Sequence, residues 1–470
     1  MQKTNLKKAS GSYLIGTLFN KGFAFLTVPI FTRILSTSDY GIVTTYNSWI
    51  SILSMIMGFA IYMGIRASFI DYPDKVDDFL SVCTTFTLIC GALMCLFVGG
   101  GAILLKVDAG ITLIFLCLLQ GLSAALVQNY SMYLMMRYQY KYRTALMVLP
   151  NLISVILSVI AILFVVKSDL YLGRIVPTAL VNIGFGVLVV IAVYKRSKCL
   201  FNKRYLKYAL AISAPLILHG IALNILSQSD RTMITLLSSA AQTGIYSLIY
   251  NFSMIATVIT TALEGIWVPW FTDKLKERKI NEINQIAKDY INLMTYAMVG
   301  VILIGPEVVK LLASKQYWKG ISIIPPIVLA NYIIFAYTLY VNIEHYYKKT
   351  PYITLNTLIA AGCNLVLNYI FIPKYGYVAA AYTTLVSYLL AFVLHANYAK
   401  KMEKNLYPIS FFARPIIHII VAVTFFYAFV ELWLVRWLLV ITYILFMFWR
   451  ERYRVVAYFP SLNRILKLNK

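Results

Sequence analysis

The sequence predicts an all-α, polytopic integral membrane protein with about fourteen transmembrane helices. Two six-helix lobes are expected around a central cavity, followed by an appended helix pair. The first observation is composition: of 470 residues, 60% are hydrophobic and only 13% are charged, whereas soluble domains carry about 25% charged residues. The second is a series of apolar runs that each reach the roughly 20 residues needed to cross a bilayer. The third is the alternating placement of Lys and Arg between those runs.

The apolar runs define the expected spans in chain order. They cover 12–32, 40–64, 79–105, 110–135, 145–166, 173–194, 208–227, 245–270, 290–313, 321–344, 350–372, 377–399, 409–430 and 432–449. The first run follows Lys3, Lys7 and Lys8, as in a signal peptide, but no small-residue cleavage site ends it. We therefore interpret it as an uncleaved first span. The last two runs are separated only around Glu431, which predicts a tight hairpin.

The basic residues predict the orientation of the chain. Counted over alternating segments, 30 Lys and Arg fall on the side of the N-terminus and 10 on the other side. Because cytoplasmic loops carry the excess of Lys and Arg, both termini are expected in the cytoplasm. The net charge of +24 is thus a topology signal, and no nucleic-acid partner is expected.

The spans divide into two similar halves and a tail. The expected domains are an N-lobe at 1–204, a C-lobe at 205–404, and spans 13 and 14 with a basic cytoplasmic tail at 405–470. Leu35-Ser36 precedes Gly41-Ile42 in the first half, and Leu237-Ser238 precedes Gly244-Ile245 in the second. Six spans per half make this a parallel repeat, an architecture typical of alternating access.

Two motifs resemble a known family. One is Asp230-Arg231-Thr-Met-Ile followed by Gly244-Ile-Tyr-Ser; the other is Asn368-Tyr-Ile-Phe-Ile-Pro373-Lys-Tyr-Gly376 followed by Ala379-Ala-Ala-Tyr-Thr-Thr. They are similar to motifs of the O-antigen and capsule repeat-unit flippases of the multidrug/oligosaccharidyl-lipid/polysaccharide exporter superfamily. The chain departs from that pattern at Ala379, where the family often has Gly.

The resemblance implies a function and partners. The chain would move an undecaprenyl-pyrophosphate-linked oligosaccharide from the inner to the outer leaflet of a bacterial cytoplasmic membrane. It would contact membrane lipids, with a polysaccharide polymerase and chain-length proteins as further partners. The alternative is a cation-coupled multidrug exporter of the same superfamily, whose organic-cation substrates call for cavity carboxylates. A glycan polymerase is disfavoured by the short outer loops, and no GxxxxGK[ST] motif for ATP is present. We expect no enzyme activity.

Five basic residues are candidates for binding the pyrophosphate, because Arg donates in a planar fork and a basic cavity offsets desolvation of the headgroup. They are Lys21, Arg33, Arg66, Arg174 and Arg231. Lys21 lies in the middle of the first span, where a charge costs about 2.5–3.5 kcal/mol on insertion scales. For Lys21 the alternative is pairing with a carboxylate or carbonyls between the lobes. For the arginines it is interfacial contact with lipid phosphate.

Three further residues are candidates for ion coupling or gating. They are Asp230, Glu264 and His219, with H+ or Na+ as the coupling ion and no other cofactor. Glu264 could instead be a carboxylate at the interface, and His219 a hydrogen-bonded packing residue. The membrane potential alone could also drive outward movement of an anionic lipid. The six Cys show no spacing typical of metal ligands, so no metal site is expected.

Overall fold

The computed structural model describes residues 27–104 and 110–458, and this part of the chain consists of helices and the turns between them. Residues 27–34 are helical and precede the first complete helix. The helices are α1 (Thr37–Gly58), α2 (Tyr62–Asp71), α3 (Val76–Met94), α4 (Ile111–Met136), α5 (Tyr140–Ile160), α6 (Leu170–Arg196), α7 (Lys203–Leu237), α8 (Ala240–Ser253), α9 (Ile255–Lys276), α10 (Ile280–Leu312), α11 (Ile324–Tyr346), α12 (Thr350–Met402), α13 (Ala413–Ala428) and α14 (Trp433–Tyr458).

Short helical turns extend several of these elements. α3 and α5 continue through π-helical turns at Cys95–Gly99 and Ala161–Val165, and a 3-10 helix at Lys315–Ile323 leads into α11. We call the face with residues 197–202 and 403–408 the linker face. The face with Ser36, Ser238 and Ala313 is the opposite face.

The prediction of a polytopic helical membrane protein is confirmed. Within the described residues, eleven helices are long and apolar enough to cross a membrane, or twelve with the pair 203–214 and 216–237, which is bent by 45°. α12 combines two predicted spans, because its 53 residues form two helices that meet at Gly376. The first predicted span lies largely outside the described residues, so the total of fourteen stays a prediction.

Gly376 has a geometric reason to be glycine. Its φ of 58° lies in the left-handed region, which side chains other than glycine rarely adopt. A Cβ there would lie 1.9 Å from Oε1 of Gln242. That oxygen instead accepts a hydrogen bond of 2.9 Å from the backbone N–H of Tyr377, which fixes the turn between the two halves of α12.

The Leu-Ser and Gly-Ile pattern that is repeated in the two halves corresponds to a direct contact between them. Gly41 of α1 and Gly244 of α8 face each other near the opposite face, close enough that a Cβ on Gly41 would lie 2.9 Å from the backbone nitrogen of Gly244. The same Cβ would lie 1.8 Å from the carbonyl oxygen of Ala240. Small residues permit this approach of two backbones. Ser36 and Ser239 cap the two helices with their hydroxyls, which starts both at matching positions.

Each half has its own apolar core, and α7 contacts both. The first-half core surrounds Phe79 and Tyr133, and the second-half core surrounds Trp267 and Met294. The Ser213 hydroxyl of α7 donates to the carbonyl of Ala60, while the C-terminal part of the same helix contacts α12 through Asp230 and Asn368. The boundaries at 204/205 and 404/405 therefore stay predictions. Many large apolar side chains on the surface are exposed, as a lipid environment requires.

Candidate functional site

Asp230 is the centre of a buried polar cluster between α7, α8 and α12. Its side chain is fully buried. The Tyr246 hydroxyl donates to Oδ2 at 2.5 Å, the Thr384 hydroxyl donates to Oδ2 at 2.7 Å, and Nδ2 of Asn368 donates to Oδ1 at 2.6 Å. All three partners are neutral, so the carboxylate is held by hydrogen bonds and not by a salt bridge.

A second layer of amides and hydroxyls surrounds these contacts. Nδ2 of Asn368 also donates to Oδ1 of Asn364 at 3.1 Å, and the Thr383 hydroxyl donates to Oδ1 of Asn368. The Ser229 hydroxyl donates to Oδ1 of Asn364 at 3.4 Å. Side chains from both halves of α12 thus bring several oxygens around one buried carboxylate. Oxygen ligands of this kind suit a hard cation, and a buried carboxylate can alternatively hold a proton.

Arg231, the next residue, makes different contacts. Its Nη1 donates to the carbonyl of Ser227 at 2.9 Å and to Oε1 of Gln228 at 3.0 Å. The guanidinium lies over the Tyr250 ring, 4.6 Å from the centroid, an arrangement that favours a cation. The side chain is only 5% exposed. Asp230 and Arg231 therefore diverge, as adjacent helical residues do.

Arg174 of α6 approaches the same region from the first half. It lies over Phe31, 4.1 Å from the ring centroid, and its Nη1 donates to the Ser158 hydroxyl at 3.1 Å. Both Arg174 and Arg231 interact electrostatically with the Tyr40 hydroxyl. One candidate arginine from each half of the chain thus lies within electrostatic range of Tyr40 of α1.

The other basic candidates lie elsewhere. Arg33 is exposed near the opposite face, where its Nη2 donates to the carbonyl of Leu311 at 3.2 Å. Arg66 is exposed on α2, beyond the other end of α1; the 22 residues of that helix span about 33 Å. Lys21 lies outside the described residues. The five basic candidates therefore do not form one cluster around a single headgroup.

Glu264 and His219 occupy two further places. Glu264 lines a small cavity with Trp267, Tyr290 and Asn342. Nε1 of Trp267 and Nδ2 of Asn342 are buried there without a hydrogen-bond partner among the described residues. His219 lies in the middle of α7, and its buried Nδ1 also has no partner in the described part of the chain. The three ion-coupling candidates thus belong to three separate environments.

Sequence reasoning did not identify the partners of Asp230. Tyr246, Asn368 and Thr384 all fall within the motifs that carry the family resemblance, but the motifs do not pair them with Asp230, and Asn364 lies outside both motifs. A usable signal was the spacing of Asn364 and Asn368, which places two amides on one face of a helix. Nothing in the sequence links that face to Asp230, which is 138 residues away.

Comparison with known proteins places this geometry in context. The profile of a family described as "Polysaccharide biosynthesis protein" matches residues 6–274. The chain is 22% identical over 394 residues to "Lsg locus putative protein 1" of Haemophilus influenzae, covering 79% of this chain and 94% of that protein.

Solved transporter structures have the same fold. "Lipid II flippase MurJ, inward closed conformation" superposes with a TM-score of 0.66 at 17% identity, covering 94% of this chain and 99% of that one. An inward-facing multidrug resistance MATE family transporter of the MOP superfamily superposes with a TM-score of 0.62 at 13% identity, covering 84% and 98%. At these identities the likeness concerns the fold.

Proposed function

Because the chain belongs to the polysaccharide biosynthesis protein family, we propose that it is a flippase for lipid-linked oligosaccharides. Its substrate would be an undecaprenyl-pyrophosphate-linked repeat unit. The protein would move it from the inner to the outer leaflet of the bacterial cytoplasmic membrane by alternating access. The product would feed synthesis of a surface polysaccharide such as O-antigen or capsule. A polymerase and chain-length proteins would then act on it.

The observation that carries this proposal is the arginine pair around Tyr40. Arg174 and Arg231 come from different halves of the chain and are held by Nη1 contacts and aromatic rings. In the described part of the chain, the hydrogen bonds of both guanidiniums use only Nη1. Nε and Nη2 of each therefore remain as donors. Two such forks from opposite lobes suit a pyrophosphate, which offers several oxygens to bidentate donors.

Contacts at the opposite face support a two-lobed transporter closed on one side. Beyond Gly41 and Gly244, the Thr32 hydroxyl donates to the carbonyl of Leu312 at 2.9 Å. The Tyr317 hydroxyl donates to the carbonyl of Ser36 at 3.1 Å. Both contacts join the first half to the second. Breaking them while closing the linker face would be one alternating-access step.

For the coupling ion, the geometry favours Asp230 over Glu264 and His219. Asp230 is the candidate around which neutral oxygens and amides from three helices converge. We propose that this cluster takes up H+ or Na+ during the cycle. Its sequence neighbour Arg231 lies on the same turn of α7, so a change at Asp230 would reach the proposed headgroup site through one helix.

A complementation experiment tests the function. The gene is expressed in a strain that lacks its native repeat-unit flippase, and surface polysaccharide and inner-leaflet lipid-linked repeat units are measured. The proposal expects surface polysaccharide to return and the accumulated repeat units to fall. Unchanged accumulation together with new resistance to cationic drugs would instead support the multidrug-exporter alternative.

A further inference from the structure

A buried histidine and a buried glutamate are paired near the linker face. His395, in the second half of α12, has its Nδ1 2.8 Å from Oε2 of Glu344, near the end of α11. The two side chains are 1% and 0% exposed. His395 also stacks on Tyr337, with ring centroids 5.6 Å apart. His219 of α7 interacts electrostatically with both His395 and His345.

Several polar atoms of this group are buried without a hydrogen-bond partner among the described residues. They are Nε2 of His395, Oε1 of Glu344 and Nδ1 of His219. Buried polar atoms in proteins almost always have partners, and leaving one unpaired destabilises the folded state. Three such atoms in one group of titratable side chains indicate a place where protons are gained and lost.

The charge of the pair leads to the same conclusion. With a neutral imidazole, the pair is a buried carboxylate with a net charge of −1. One added proton gives an imidazolium beside a carboxylate with no net charge, which lowers the cost of burial. The groups recorded around the pair are His219 from α7, Tyr337 and His345 from α11, and Tyr398 from α12. Lys348 and Lys349 follow in the turn after α11, where both are exposed and neither forms an ion pair with Glu344 among the described residues. The His395 imidazole is therefore the described group placed to neutralise the Glu344 carboxylate.

We infer that Glu344 and His395 form a proton-binding site between α11 and α12. Within the described residues, no group of three or more His, Cys, Asp or Glu is arranged to hold a metal ion. The bound proton is shared between the Glu344 carboxylate and the His395 imidazole, which lie 2.8 Å apart.

The position of the site allows a bound proton to affect α7, the helix that carries Asp230 and Arg231. His219 lies one turn beyond the 45° bend that interrupts α7 between residues 214 and 216. α7 contacts α2 before that bend and α12 after it, and it carries Asp230 and Arg231 near its other end. A change of charge beside the bend therefore acts on the helix that contacts both halves. This coupling rests on the proposed function, whereas proton binding does not.

Proton binding is measured directly on the purified full chain in lipid nanodiscs without substrate. The imidazole nitrogens are labelled with 15N and followed by NMR from about pH 5 to 9, the range in which imidazoles change charge. His395→Gln identifies the His395 signal. We expect that signal to change with pH in the wild type, and we expect Glu344→Gln to lower the proton affinity of His395 by about tenfold or more, because the carboxylate no longer favours the cation.

Controls keep the test specific. His418→Gln, which alters a histidine outside the group, should leave the His395 titration unchanged. Glu344→Asp retains the charge and serves where Glu344→Gln does not fold; it should keep a titration with an altered midpoint. A His395 signal that does not change across the range, or one with the same midpoint in wild type and Glu344→Gln, overturns the inference. A failed flippase assay would leave this result untouched.

Discussion

Nδ2 of Asn368 lies 2.6 Å from Oδ1 of Asp230, joining residues that are 138 positions apart across the interior of the second half. The contact makes α12 a direct partner of α7. Because Asn368 belongs to α12 and Asp230 to α7, an ion or proton bound at Asp230 would act on both helices. The account of ion coupling depends on this relationship.

Removing the charge of Asp230 should separate transport from folding. In Asp230→Asn the Tyr246 and Thr384 hydroxyls can still donate to the remaining oxygen, and no buried charge needs compensation. The new amide NH2 replaces the oxygen that accepts from Nδ2 of Asn368, so that hydrogen bond is lost. Because the two effects oppose each other, we expect the protein to stay folded with its thermal stability little changed. The transport rate should fall about 5- to 150-fold, which is the factor that corresponds to typical coupling free energies between two sites. Stability and lipid flipping are measured on the same purified sample.

Asp74→Asn is the matched control, because Asp74 is exposed on the linker face. It should leave both properties unchanged. Wild-type flipping by Asp230→Asn across ion gradients would remove Asp230 from the coupling mechanism.

Replacing either arginine of the central pair should weaken headgroup binding. Hydrogen bonds to charged groups contribute about 1.5–3 kcal/mol, so Arg174→Ala and Arg231→Ala should each weaken binding of a polyprenyl pyrophosphate by about 10- to 100-fold. Arg231→Lys should recover little, because an ammonium cannot reproduce the planar fork. Binding is measured by fluorescence polarisation in detergent micelles.

Arg66→Ala provides the comparison for this experiment. Arg66 is exposed and lies at the other end of α1 from Arg33, so its loss should change headgroup affinity far less. Equal losses in Arg66→Ala and Arg231→Ala would contradict a site centred on Tyr40.

Widening the contact between α1 and α8 should open the opposite face. In Gly41→Ala the new methyl group would meet the carbonyl of Ala240, with 1.8 Å between the Cβ and that oxygen, so the two backbones must separate. Spin labels at Ser38 and Ser238, both exposed near this contact, report the separation by pulsed electron resonance. We expect a longer mean distance than in the labelled parent.

Gly184→Ala in α6 is the control, because a Cβ there has no neighbour within 4 Å among the described residues. Its label distance should equal that of the parent. An unchanged distance in Gly41→Ala would show that this contact does not set the closed state.

The appended helix pair should depend on one buried ion pair. Nη2 of Arg436 donates to Oε1 of Glu307, and its Nη1 donates to the carbonyls of Phe429 and Val430. The Arg436 side chain is 1% exposed. Removing one partner of a buried pair costs about 3–5 kcal/mol. Arg436→Ala should therefore lower the free energy of unfolding by about that amount and expose 413–458 to limited proteolysis.

Lys319→Ala is the control, on the nearby 3-10 helix. Among the described residues, the Lys319 side chain forms no ion pair with Glu307, the partner of Arg436. This variant should leave the protease pattern unchanged. The same pattern in Arg436→Ala and the wild type would show that other contacts hold the pair.

Hydropathy and charge predicted the helices well because both are properties of consecutive residues. The sequence also shows the repeated pattern around Gly41 and Gly244. It does not show that the two glycines are in contact. Asp230 and Arg231 stood out as charges between apolar runs. The quoted motifs contain Tyr246, Asn368 and Thr384, but nothing in the sequence pairs them with Asp230, because only the fold brings the three helices together. The sequence places Glu344 at the end of a span, where an interfacial position is expected, whereas the structure buries it beside His395. Their pairing is not predictable for the same reason, since the two residues lie on different helices.

The most direct test of the proposed function is lipid flipping by the purified protein in liposomes. A fluorescent undecaprenyl-pyrophosphate oligosaccharide is placed in both leaflets, and a membrane-impermeant quencher reports the outer leaflet. The account predicts that wild-type protein renders nearly all of the fluorescence quenchable over time, whereas the double variant Arg174→Ala, Arg231→Ala leaves about half protected. Protection that is the same with wild-type protein and in protein-free liposomes would contradict it.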